Sequence, residues 1–148
     1  LKPCSEDNMA LTGFARSGEC RNHNNDDGSH HVCINIASTT GGNFCEVTGQ
    51  PNWCDEKMPC HQNEEKVCDI NKWCVCEWAF ASYIQKAGGC DKIADVFTEY
   101  TEQISTDFKQ RNKKNANYYN ERLLRSFFDC FSKKNKNFNF INGYFKEI

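Results

Sequence analysis

Cys20-Arg21-Asn22-His23 and His30-His31-Val32-Cys33 each set a thiol three residues from an imidazole, and Cys74-Val75-Cys76 adds a C-x-C pair. Residues of these types support three chemistries. Thiolate and imidazole ligands suit tetrahedral zinc, and Cys20, His30, Cys33, Cys74 and Cys76 form the candidate set. A C-x-C that opens a helix would have its thiolate favoured by the helix dipole, with His30 or His31 as a base. The third chemistry is oxidation to disulfides. None of the established zinc spacings is met, and C-x-C is not the C-x-x-C of thioredoxin-like enzymes. The Asn24–Ser29 run has hard oxygen ligands but lacks the glutamate that closes an EF-hand loop. Neither a G-x-S-x-G block nor a glycine-rich phosphate or dinucleotide loop is present.

Eleven cysteines in 148 residues favour the disulfide reading. The first seventy residues are rich in Asn, Asp, Gly, Ser and Thr, so they bury little apolar surface to offset chain entropy. Covalent staples supply roughly 2–4 kcal/mol each. The candidates are Cys4, Cys20, Cys33, Cys45, Cys54, Cys60, Cys68, Cys74, Cys76 and Cys90, with connectivity left open. An odd count leaves one thiol over; Cys130, alone in a basic segment, is the expected unpaired or intermolecular cysteine. On this reading no cofactor is expected; zinc belongs to the alternative.

The elements that must position these residues change character along the chain. Val32, Ile34 and Ile36 alternate as in a half-buried strand, between turn-forming runs at 24–28, 40–43 and 49–52. The apolar run after Trp73 predicts a helix over 76–86, stopped by Gly88-Gly89. Apolar residues three and four apart (Ile93, Val96, Phe97, Tyr100, Ile104, Phe108) predict an amphipathic helix over 91–108. Residues 109–117 read as a linker and 118–131 as a third helix. The lysine- and asparagine-rich end, 132–148, reads as poorly ordered on its own.

Charge divides the same way. Residues 1–108 carry a formal −9 and residues 109–148 a formal +7. The second segment is also aromatic, and Phe127, Phe128, Phe131, Phe138, Phe140, Tyr144 and Phe145 read as anchors of a docking arm. Stacking and phosphate contact with a single-stranded nucleic acid would use similar residues, but an oxidised domain argues against it. Truncation after about Phe108 is then expected to leave the body folded while abolishing assembly. No apolar stretch approaches a membrane span, and no N-x-Ser/Thr sequon occurs among seventeen asparagines.

Four blocks taken together resemble the domain of unknown function 2237 family. They are Leu1-Lys2-Pro3-Cys4-Ser5; Thr12, Gly13, Phe14, Arg16, Gly18 and Cys20; Asp26, Gly28, His30, Val32 and Cys33; and Trp73, Cys74 and Cys76. The resemblance covers about residues 1–90. A glycine-asparagine-aspartate-leucine stretch and a Phe-Pro-Gly-Leu stretch of the family pattern are replaced here by a segment with Cys45, Cys54, Cys60 and Cys68. Ala79-Phe80 stands where the family has arginine-tryptophan. The resemblance implies a fold relationship and candidate sites, and no reaction.

These readings combine into an α+β protein: a small irregular disulfide-rich domain with few short strands, followed by two or three helices. Residues 1–90 form the cysteine-rich domain. Residues 91–148 form a helical, basic extension that packs on the domain or on a partner. The expected function is that of a non-catalytic secreted or lumenal protein, its signal peptide removed, binding other protein subunits or itself through the arm. The alternative is an intracellular zinc-binding or thiol-redox protein.

Overall fold

Val32–Asn35 (β1) pairs antiparallel with Lys72–Val75 (β4), in a register that sets Val32 opposite Val75, Cys33 opposite Cys74 and Ile34 opposite Trp73. Side chains alternate across a strand, so this one register sorts the sheet into an apolar face and a sulfur face. Val32, Ile34, Trp73 and Val75 join the main core, whereas Cys33 and Cys74 pack with Cys4 and Cys20 in a second buried cluster. Ile36 continues the alternation, is buried, and donates its N–H to Asn71 O at 3.1 Å. The computed structural model describes residues 2–21, 23–27, 30, 32–37, 42–93, 129–130, 133, 138–141 and 144–147.

Between β1 and β4 lie a five-residue helix, Phe44–Thr48 (α1), and a hairpin of Lys57–Pro59 (β2) with Val67–Asp69 (β3). Asn43 caps α1 by accepting the Glu46 N–H at 3.0 Å, and Gly49 closes it with φ +75°. The Cys45–Cys54 and Cys60–Cys68 disulfides span nine and eight residues, one stapling α1 to the turn after it and one closing the hairpin. Such local staples replace the apolar contacts that this polar stretch cannot make. The hairpin's edge is extended by the N-terminal segment, where Ala10 N and Leu11 N donate to Asp69 O and Pro59 O at 2.9 and 2.8 Å.

Glu77–Ala87 (α2) matches the expected helix to within one residue, and Gly88 stops it at φ +96° with its N–H on Gln85 O. Phe80, Tyr83 and Ile84 are buried with Phe44, Ile34 and Val75, forming the layer between α2 and the β1–β4 pair. Burial of an aromatic side chain of this size contributes roughly 2–3 kcal/mol. A single 3₁₀ turn over Cys90–Lys92 leads to Ile93, which is fully buried. The rest of the expected 91–108 helix, the linker and most of the 118–131 helix fall outside the described residues; Asp129 and Cys130 are helical.

Two features of the extension differ from expectation. Cys130 is not the odd cysteine: it is fully buried in the main core and bonded to Cys90. Its isolation in sequence hid a partner forty residues away. Phe138–Ile141 (β5) and Tyr144–Glu147 (β6) form an antiparallel hairpin in the stretch expected to be poorly ordered on its own, within an extension expected to be helical. The alternating Phe138-Asn139-Phe140 and the Asn142-Gly143 pair are a strand-and-turn pattern that reading by composition overlooks. Among the described residues the architecture is α+β: three two-stranded sheets, two α-helices of five and eleven residues described along their whole length, and the helical Asp129 and Cys130. No helix among them is long and apolar enough to cross a membrane.

Candidate functional site: an aromatic cleft beside a cysteine cluster

The loop from Thr12 to Cys20 is built by its own backbone. Gly13 sits at φ +103°, where a Cβ would stand 2.7 Å from Glu19 O, so only glycine fits. Gly18 N donates to Thr12 O at 2.9 Å, and Gly18 O receives Cys4 N at 2.7 Å and Ser5 N at 3.2 Å. Two of the sequence blocks are thereby interlocked. Ser5 Oγ, in turn, lies 3.0 Å from His61 Nδ1. The loop is fixed to β4 twice: Cys74 N donates to the buried Thr12 Oγ1 at 2.9 Å, and Cys20 is bonded to Cys74.

This anchoring lays Arg16 against Trp73. Arg16 takes a left-handed conformation, φ +53°, and donates an Nη1 hydrogen to Gly13 O at 2.7 Å. Its guanidinium carbon lies 5.0 Å from the Trp73 ring centre, a cation–π contact worth about 0.5–1 kcal/mol at an open site. Trp53 adjoins Trp73 at 5.9 Å, and Phe44 links Trp53 to Tyr83 in the core. Together Phe14, Arg16, His30, Trp53, Trp73 and Cys76 line much of a cleft of about 470 Å³.

His30 reaches the cleft on a carboxylate hinge. Asp26 is buried at 1 % exposure and accepts both the His30 backbone N–H and its ring Nδ1, each at 2.7 Å. A buried carboxylate is costly unless so paired, which explains the four-residue Asp–His spacing. With Nδ1–H given to Asp26, Nε2 is the ring nitrogen left for a ligand. Phe14 lies 5.5 Å from the His23 ring and is stacked with His30 at 6.3 Å.

All eleven cysteines are among the described residues, and ten form five disulfides: Cys4–Cys33, Cys20–Cys74, Cys45–Cys54, Cys60–Cys68 and Cys90–Cys130. Cys76 is the cysteine outside them, a half-buried thiol at the N-cap of α2 and on the cleft wall. The odd thiol expected at Cys130 therefore belongs to Cys76. Of the candidate metal set, Cys20, Cys33 and Cys74 share the buried sulfur cluster. Cys76 and His30 stand on the cleft instead, and Cys4 takes the fourth place. Phe127, Phe128 and Phe131 lie outside the described residues, and Phe138, Phe140, Tyr144 and Phe145 are described as backbone alone.

The four blocks converge in space: the first two interlock through Gly18, and the third and fourth supply the facing cysteines of β1 and β4. A family model described as "Uncharacterized protein conserved in bacteria (DUF2237)" matches residues 1–108. The chain belongs to this family. The DUF2237 match runs past the 1–90 suggested by the motif blocks, through α2 and the buried Ile93. No curated protein matches the chain. Phe14, Arg16 and Trp73 were visible in the blocks that carry the resemblance, yet nothing in their spacing showed that they meet. Trp53 lies outside every block, and only its aromatic character marked it.

Proposed function

We propose that this DUF2237 protein is a secreted or lumenal binding protein whose cleft holds a small ligand with a planar apolar body and an anionic group. The observation that carries the reading is the Arg16–Trp73 stack at the cleft, flanked by Phe14, His30 and Trp53. The aromatic rings offer a slot for the planar body. An arginine has five N–H donors, and those not engaged with Gly13 O suit a carboxylate or phosphate. The five disulfides fit an oxidising compartment. Assembly with other subunits through the basic extension remains part of the proposal, although its aromatic residues are not what supports it. The test is calorimetric titration with benzoate and indole-3-acetate as probes. Binding at one site, weakened about tenfold or more by Arg16→Ala, is the expected result. Binding that Arg16→Ala leaves unchanged would assign these ligands elsewhere, and no binding of either probe would remove the support for an aromatic acid.

A second reading, thiol chemistry, is favoured by Cys76 and the Asp26-held His30 bordering one cleft. The positive end of α2 favours negative charge at its N-cap. Alkylation of the unreduced, folded protein with iodoacetamide, followed by peptide mapping, is expected to label one cysteine, Cys76. A reactive thiol assisted by the imidazole would be labelled several-fold more slowly in His30→Gln. Equal rates would leave Cys76 as an ordinary thiol.

A further inference from the structure

The sulfur face of the β1–β4 pair holds a second site, which shares Cys74 with the lining of the cleft. Cys4, Cys20 and Cys74 place their Sγ atoms all within 4.8 Å of one another, and Cys33 is bonded to Cys4. The four side chains form a buried cluster of their own, none more than 2 % exposed. Tetrahedral zinc with sulfur ligands at about 2.3 Å requires sulfurs about 3.8 Å apart. Cys4, Cys20 and Cys74 already stand within 4.8 Å of one another, while the directly bonded sulfurs, and Cys33 with them, must turn to reach that spacing once the bonds open. The backbone positions are independently fixed: Cys33 and Cys74 by the strand pairing, Cys4 by its N–H on Gly18 O, and Cys74 also by its N–H on Thr12 Oγ1.

We propose that Cys4, Cys20, Cys33 and Cys74 form a reduction-dependent zinc site, in which one four-sulfur zinc centre replaces the Cys4–Cys33 and Cys20–Cys74 disulfides. A dithiol reductant delivers two electrons and two protons to each disulfide and is itself oxidised to a disulfide. Four thiols result, and one Zn²⁺ displaces their four protons to give a tetrathiolate centre. The metal would tie together the same four chain segments that the disulfides tie: the N-terminus, the Thr12–Cys20 loop, β1 and β4. The chain could then keep one fold in two redox environments. His30 is left out of the set because it stands on the cleft and outside the buried cluster of the four cysteines.

The full chain is reduced anaerobically with a phosphine and titrated with Co²⁺, whose visible absorption reports tetrahedral sulfur coordination, followed by Zn²⁺. One Co²⁺ per chain with a four-sulfur spectrum, displaced by Zn²⁺, is expected. The unreduced protein should show no such spectrum. Cys45→Ser with Cys54→Ser, and Cys60→Ser with Cys68→Ser, should keep the spectrum and stoichiometry. Cys4→Ser with Cys33→Ser should weaken binding by about a hundredfold or more, beyond the loss typical of disturbing outer groups. Loss of the spectrum in either of the first two double variants overturns the proposal, whether or not the last one folds. So does its absence from the reduced parent chain, or its presence in the unreduced one.

Discussion

Replacing Cys20 and Cys74 together by alanine is expected to destabilise the protein by about 4 kcal/mol, the chain-entropy value for a loop of this length. The bond joins residues 54 apart in sequence. For a chain of this size the corresponding fall in melting temperature is roughly 10–15 °C. Alanine is chosen because Cys20 is fully buried and Cys74 is 2 % exposed, and a serine hydroxyl there would add an unmet hydrogen-bond need. The consequence extends to the cleft. The Thr12–Cys20 loop would then meet β4 chiefly through the Cys74 N–H to Thr12 Oγ1 bond, so Arg16 would lose its fixed place over Trp73. Denaturant unfolding and probe titration should therefore fall together. A stability change under about 1 kcal/mol would show that the loop is held without the bond.

Removing the Cys90–Cys130 bond should be nearly as costly, because its separation of forty residues gives about 4 kcal/mol in the same treatment. Both parts of the chain have a stake in it: Cys130 is fully buried in the core that also contains Phe80, Tyr83 and Ile93. The double variant Cys90→Ala with Cys130→Ala is expected to unfold at markedly lower denaturant concentration. A chain cut after Phe108 should do the same, since it loses Cys130 altogether. This reverses the expectation that such a truncation spares the body. An unchanged unfolding midpoint in both would restore the extension to the status of a separate arm.

How far the fold could be read from residues depended on whether the signal was local. The alternation of Val32, Ile34 and Ile36 and the glycine stop after Ala87 are properties of single segments, and both elements form where expected. Disulfide pairing is a property of three-dimensional proximity, so the polar middle announced that staples were needed without saying which. Cys130 was misread for the same reason: its neighbours in sequence are lysines and aromatics, whereas its neighbours in space are Cys90 and the main core. The β5–β6 hairpin was missed despite a local signal, because lysine and asparagine content outweighed the period-two pattern. At the site, the Asp26–His30 spacing was part of a recognisable block, yet the hinge it forms requires knowing that Asp26 is buried. Arg16 and Trp73 are 57 positions apart and meet only because Cys20 and Thr12 fix the loop to β4.

Cys33 and Cys74 face each other across the β1–β4 pair, yet each is bonded to a sulfur from the first twenty residues. The two bonds interleave along the chain, 4 with 33 and 20 with 74, and this constrains the order of events at birth. Cys4 and Cys20 leave the ribosome ahead of both native partners. An oxidant acting at that moment would join them to each other. The native pattern is reached only if Cys4 stays open for residue 33 and Cys20 for residue 74, or if an early bond is exchanged. Timing of oxidation, as much as the final geometry, thus decides whether this chain acquires its cleft.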